Sequence, residues 1–251
     1  MLKLVCFIHR RPELDRESFH RHWRENHGPL IEGLPALRQL VARYEQNHRL
    51  EDDYARDEGG DERSSSRLSP GEFDGATIMW FESMADYQAF AEHPLYAEKI
   101  APDEARFMDR SRTLYFFTNE AEPKIGGAAE KAQAKVKLLA LLRRKPGLAI
   151  PDFHAHWSGP HGDLFRNESK LRSQILAYDQ NHRPETDYAR DPSTDWDGMA
   201  EQWYASLEAF HAGAGGGPFE EIVVPDEERF MDRGATRFIL CEPPHVVFPR
   251  D

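Results

Sequence analysis

Four histidine positions occur twice in this chain, in matching contexts: His20 and His154, His22 and His156, His27 and His161, His48 and His182. Histidine has the ordinary pKa nearest neutrality, so such a set is the first place to look for proton transfer or metal ligation. His27 and His161 each precede a glycine, where a helix is expected to end and its last carbonyls favour a protonated ring. They read as general acids, or equally as caps on those carbonyls. His48 and His182 close Tyr-x-Gln-Asn-His runs that begin at Tyr44 and Tyr178 and contain Asn47 and Asn181. Tyrosine, asparagine and histidine at a strand end can bind a phenolic or carbonyl oxygen and move a proton. The same residues could instead latch the Asp-Tyr-Ala-Arg-Asp segment that follows. His22 and His156 flank Trp23 and Trp157, which would wall an apolar pocket or belong to the core, and His20 and His154 read as structural or solvated.

One residue breaks the pairing. Glu201 stands in an apolar strand where the first copy has Ile78. A buried carboxylate there would need a partner or a use, and burial would raise its pKa towards a general base; an edge position reaching water is the alternative. Metal ligation is not indicated. The spacings His20/His22 and His22/His27 do not stack on one helical face as i, i+4 ligands do, and the spacing marks no metal site. No nucleophile elbow or dinucleotide fingerprint occurs. The run Gly213-Ala214-Gly215-Gly216-Gly217 lacks the context of a phosphate loop and reads as a flexible turn.

The elements that must carry these residues come in two sets. Phe19 to Asp57 returns as Phe153 to Asp191 at an offset of 134, and Asp74 to Arg110 returns as Asp197 to Arg233 at 123. The first copy therefore holds 11 extra residues between Asp57 and Asp74, in a polar, turn-rich stretch (58–72) expected to be an exposed loop. Each copy reads β-α-β-β-α-β. Apolar runs at Leu2–Ile8 and Lys137–Leu142 are first strands, and a Phe/Trp stripe marks the helix that follows, stopped by Gly28-Pro29 or Gly162. Second strands are expected at Arg38–Glu45 and Arg172–Asp179, third strands at Ala76–Phe81 and Met199–Tyr204, second helices capped by Ser83 and Ser206, and fourth strands at Thr113–Thr118 and Thr236–Cys241. The boundaries that follow are a first module at 1–118, a polar linker at 119–135 and a second module with a proline-containing tail at 136–251.

Composition narrows the classes. The 251 residues carry a net charge of -12 and no basic tract, which argues against nucleic acid or an anionic membrane as partner. Two cysteines, Cys6 and Cys241, give no disulfide framework, so a reducing cytoplasm is the expected compartment.

Phe-x-x-His-Trp-x-x-x-His-Gly, Tyr-x-x-Asn, Asp-Gly followed by Trp-Phe-x-Ser, and Asp-Glu-x-x-Phe-x-Asp together resemble the EthD family of the dimeric α/β barrel superfamily, over nearly all of both copies. That resemblance implies an α+β fold: two ferredoxin-like modules packed sheet to sheet as a barrel within one chain. It implies a pocket in each module and a self-contained monomer, with a homodimer as the alternative. The superfamily's activities are varied, so the fold does not supply the function. The expectation is a cofactor-independent enzyme, of lyase, isomerase or dehydratase type, acting on a small apolar or aromatic molecule. His27, His161, His48, His182 and Glu201 would move protons, while Tyr44, Tyr178, Asn47, Asn181, Trp23, Trp157, His22 and His156 would bind substrate. A cofactor-free monooxygenase is one alternative, and a non-catalytic carrier of haem or a hydrophobic metabolite is another.

Overall fold

The computed structural model describes residues 1–59, 69–70, 73–214 and 217–249. The polar insertion at 58–72 and the glycine run at 213–217 lie largely or partly outside them. Among the described residues eleven strands follow in chain order: β1 Leu2–Ile8, β2 Arg43–His48, β3 Ser69–Pro70, β4 Gly75–Phe81, β5 Leu114–Asn119, β6 Glu122–Ile125, β7 Val136–Leu142, β8 Ala177–His182, β9 Gly198–Tyr204, β10 Arg237–Cys241 and β11 His245–Phe248. They form two sheets, ordered β11-β2-β4-β1-β5 and β3-β10-β7-β9-β8-β6. The fold is α+β and built of ferredoxin-like modules. Apart from the parallel β3–β10 pair the ladders are antiparallel, with β1 and β7 interior to their respective sheets, each paired on both sides.

The chain divides into two compact units: Met1–Arg49, Glu72–Glu120 and Pro244–Asp251 form one, Leu50–Gly71 and Ala121–Pro243 the other. Residues 119–135, expected as a polar linker, hold β6 and a short helix at Ala128–Lys131. β6 pairs with β8 in the second sheet. The proline-containing tail likewise supplies β11, the edge partner of β2 in the first sheet. Prolines can stand at such edges because the missing N–H faces away from the ladder.

The second strands begin later than expected, at Arg43 and Ala177, because Pro35–Arg38 and Ser169–Arg172 take a helical turn first. Tyr-x-Gln-Asn-His therefore lies inside the strand rather than beyond it. The period of two then decides which side chains meet the helices: Tyr44, Gln46 and His48 share one face, Glu45 and Asn47 the other.

A larger departure concerns the histidine helix. It does not stop at Gly28-Pro29. Arg16–His22 runs through a π turn at Trp23–His27, where the Gly28 N–H bonds the Trp23 carbonyl five residues back, and continues as Gly28–Glu32. Proline removes one helical N–H and crowds the carbonyl four residues earlier, and the wider turn absorbs both defects without ending the helix. The second copy repeats this at Trp157–His161, with Pro160 inside the turn. π turns at Tyr96–Ile100 and Phe219–Val223 precede Pro102 and Pro225 in the same way.

Phe248 anchors β11. It is 3 % exposed, edge-on to Tyr44 at 5.8 Å, with the Arg38 guanidinium 3.9 Å from its ring centre. Phe248→Ala should cost about 3 kcal/mol, the low end of the range for burying a phenyl ring in a core, and lower the denaturation midpoint of the first unit. An unchanged midpoint in urea unfolding would show the tail to be dispensable.

Candidate functional site

In the first unit the helices and the sheet enclose a cavity of about 340 Å³. Its apolar wall includes Leu4, Ile8, Trp23, Ile31, Met79 and Phe107, and its polar groups include His27, Tyr44, Tyr96, Glu104 and Arg110. His27 is 5 % exposed, and its Nδ1 lies 2.9 Å from Asp103 Oδ2. The other carboxylate oxygen of Asp103 is 3.0 Å from His22 Nε2. Burial alone would raise the Asp103 carboxyl, but hydrogen bonds and charge from His27 and His22 hold it below the usual carboxylate value. An ionised Asp103 accepts the Nδ1–H of His27. That tautomer leaves Nε2, which has no hydrogen-bond partner among the described residues, as a lone pair at the cavity wall.

Glu104, next in sequence, also lines the cavity. Burial pushes its carboxyl up, against the opposing influence of His27, Tyr96 and Arg110. The Tyr96 hydroxyl reaches both carboxylate oxygens at 3.0 Å. Tyr44 is fixed on the opposite side. Its hydroxyl accepts from Trp23 Nε1 at 3.2 Å and Gln46 Nε2 at 3.0 Å, and burial raises its pKa to about 12, so it stays a neutral phenol. Cys6 on the wall is likewise raised to about 12, by burial and then by Glu104, which rules out a thiolate nucleophile. The arrangement can take and return a proton: a carboxylate-oriented imidazole faces an apolar space that also holds a carboxyl group whose pKa burial raises.

Of the expected site residues, His27, Trp23 and Tyr44 line this cavity, and His161 and Tyr178 line its counterpart in the second unit. The others do not. His22 and His156 bind the outer oxygens of Asp103 and Asp226. Asn47 and Asn181 lie on the opposite sheet face and bond the Ala76 and Met199 carbonyls. His48 and His182 point towards the helix but end beyond the cavity, each tilted against its tryptophan with ring centres 4.4 Å apart and paired with His20 or His154 through Nδ1 at 2.9 or 2.8 Å. Burial, then His20, lowers His48 to about 2, while burial, then His154, lowers His182 to about 4; neither is a base near neutrality. Their role is positional. Each Nε2 meets a glutamine Oε1, which turns the amide so that its Nε2 donates to the tyrosine hydroxyl.

Glu201, expected to need a partner or a use, has a partner: it is an ion pair. It sits 2.7 Å from Lys137, accepts from Asn181 at 2.9 Å, and lies on the sheet face away from the cavity. The lysine that neutralises it stands on the adjacent strand β7, two residues from Leu139, which pairs with Glu201, in a run otherwise apolar. The helix-end account of His27 and His161 is also corrected. Both sit in π turns within a continuing helix, and burial lowers His161 against the pull of Asp226. Asp103, Glu104 and Tyr96 were missed. The signal was available, since Pro-Asp-Glu recurs at 102 and 225 directly after each second π turn.

The second unit keeps the dyad, with His161 Nδ1 2.9 Å from Asp226 Oδ2, but encloses only about 50 Å³. Phe165 replaces Ile31 and Phe238 replaces Tyr115, and both rings are buried in the core. Asp-Gly recurs for a shared reason. A Cβ at Gly75 or Gly198 would lie 2.6 Å from the tryptophan ring, while Asp74 and Asp197 bind the backbone N–H of Arg10 and Arg144 at 2.8 and 2.7 Å.

Haem was one expectation. His27 Nε2, backed by Asp103, has the chemistry of an axial ligand. The space does not suit the group: about 340 Å³ is near the lower end of small-molecule pockets and small for a macrocycle with two propionates. Among the described residues no three His, Cys, Asp or Glu side chains converge as metal ligands. No described helix is long and apolar enough to cross a membrane.

Two predictions follow from this geometry. Protein purified as expressed should lack a Soret band; stoichiometric haem would overturn the size argument. Acid should destabilise the second unit. The ordinary histidine value is 6.5, and burial holds both His154 and His182 at about 4. Between those pH values the unfolded chain takes up protons that the folded one refuses, so stability present above pH 6.5 is lost as pH falls towards 4. Replacing both with glutamine should flatten that slope in urea titrations, and an unchanged slope would assign it elsewhere.

Comparison with known proteins agrees with the fold. A solved anthrone oxidase-like protein superposes with a TM-score of 0.62 at 7% identity, covering 98% of this chain and 91% of its own. A dye-decolorizing peroxidase from Bacteroides thetaiotaomicron gives 0.53 at 10% identity, covering 96% and 92%. A search of curated proteins returned no match. The EthD domain matches residues 11–111 and 145–234, most of both repeats. The chain belongs to the EthD domain family.

Proposed function

We propose that the first unit is an acid–base enzyme for a small, largely apolar or aromatic molecule, with His27 as the group that moves the proton. The observation that carries this reading is the unpartnered Nε2 of His27 at an apolar cavity, with Asp103 behind the ring and Glu104 on the same wall. Substrate entering the cavity displaces water, which strengthens the Asp103–His27 interaction and keeps the imidazole oriented. His27 Nε2 takes a proton from an acidic C–H or O–H. Asp103 stabilises the imidazolium that forms. Return of the proton to another atom completes an isomerisation, and loss of a leaving group completes an elimination. The second unit, with its filled cavity, serves as the structural copy.

The same proton removal would begin a cofactor-free oxygenation. The solved neighbour described as anthrone oxidase-like makes that variant worth testing alongside.

Exchange of the α-hydrogens of 1-tetralone in D2O, followed by proton NMR, tests the base directly. The intact chain should accelerate exchange. His27→Gln should lower the acceleration by about 10²–10⁴-fold, the usual contribution of a general base. Asp103→Asn should lower it by a smaller factor, and His161→Gln should leave it within about twofold, as expected of a site without room for substrate. Equal rates in His27→Gln and the parent would remove His27 from the mechanism.

A further inference from the structure

The two units hold one arginine in two positions. Arg233 folds inward, its Nε 2.8 Å from Glu227 Oε2, and its side chain is 11% exposed. Arg110, at the matching place in the first unit, stands off from Glu104 at 3.5 Å and is 49% exposed. A single hydroxyl separates the two cases. Tyr96 bonds both oxygens of Glu104, whereas the equivalent residue in the second unit is Phe219, which can bond neither oxygen of Glu227. A buried carboxylate is costly without a countercharge, and Glu227 has its arginine close as an ion pair, although Oε2 and Nε are not aligned as a hydrogen bond. Glu104, already bonded, holds its arginine less closely.

Arg110 is thereby left at the cavity with donors to spare. Guanidinium carries five N–H groups. The one ionic contact of Arg110 is longer than the roughly 2.7–2.9 Å of a charge-assisted hydrogen bond. It is the one lysine or arginine among the described lining residues, and its half-exposed side chain puts it where the cavity meets solvent. His27 lines the same space but is already committed to Asp103 through Nδ1. A planar, permanently charged fork at the mouth of an apolar cavity matches one ligand chemistry best: a carboxylate, taken in two parallel hydrogen bonds.

We infer that Arg110 anchors a carboxylate on the substrate, which makes the substrate of the first-unit cavity a small aromatic acid. The ring enters among Ile31, Met79 and Phe107, and the carboxylate stays at the rim on Arg110. This orientation leaves the far end of the molecule to His27 and makes Tyr96 a positioning residue: by satisfying Glu104 it keeps Arg110 available. The inference rests on the first-unit cavity being the substrate site.

Isothermal titration of the full chain with 2-naphthoate and with 2-naphthalenemethanol, which share a ring system and differ in charge, separates the two claims. The expected result is at least tenfold tighter binding of the acid. Arg110→Gln should remove that preference while leaving the alcohol within twofold. Tyr96→Phe, which recreates the situation of Glu227, should weaken the acid selectively as Arg110 turns inward. Ile31→Phe should abolish both, and circular dichroism of each variant reports whether the fold is kept. Equal affinities for the two probes, or a loss in Arg110→Gln shared by both, would overturn the anchor and leave the cavity reading intact. Failure of both probes to bind the parent protein would overturn the two together.

Discussion

A carboxylate removed from water must be given hydrogen bonds, and the first unit is built around one such requirement. Asp103 is 6 % exposed and receives both His22 and His27, so the helix that starts at Arg16 is tied to the one that ends at Phe107. Losing either partner would leave a buried charge half satisfied, which costs more than an ordinary surface ion pair contributes. The π turns follow from the same need. They let the chain pass its prolines as continuous helix and bring His27 and Asp103 face to face. Asp226, His156 and His161 repeat the arrangement in the second unit, without the space that would give it a substrate.

The divergence of the two copies is economical in residues. Phe219 for Tyr96 changes what the following glutamate bonds, and Phe165 for Ile31 changes how much of the cavity is filled. Burial holds Glu227 at about 7, with Arg233 opposing the shift, so its carboxyl and guanidinium are a packed structural pair. Glu104 is the same residue type at the same place in the fold, but faces an open cavity. Dyads alike in distance therefore have unlike prospects, decided by aromatic rings one shell away.

The duplication, the β-α-β-β-α-β core of each copy and the family were legible because they rest on recurrence and on periods of two and 3.6, which survive in a single sequence, whereas β3, β6 and β11 were not expected. Ser83 could be read as a cap for a similarly local reason: its hydroxyl accepts from the Asp86 N–H. Gly28-Pro29 misled because proline normally ends a helix, and a π turn leaves no separate mark in residue types. The strand-end motif misled differently. Asn47 and His48 are adjacent in sequence and on opposite faces of the sheet, so a run that looks like one site is two. The partner that Glu201 required could not be named because its lysine, Lys137, lies 64 residues upstream and meets it only through strand pairing. His27 was found, but its partner was not, because 76 residues separate it from Asp103.

The edge strand β11 has a consequence for the order of synthesis. It is translated after the whole of the second unit, yet it belongs to the sheet of the first. While the ribosome is still making the intervening residues, β2 has a bare edge, with the backbone groups that will bond His245 and Val246 open to any passing strand. The first unit is thus the first to emerge and among the last to be finished. Its folding carries a contact spanning about 200 residues, the kind that slows folding and lengthens exposure to misassembly.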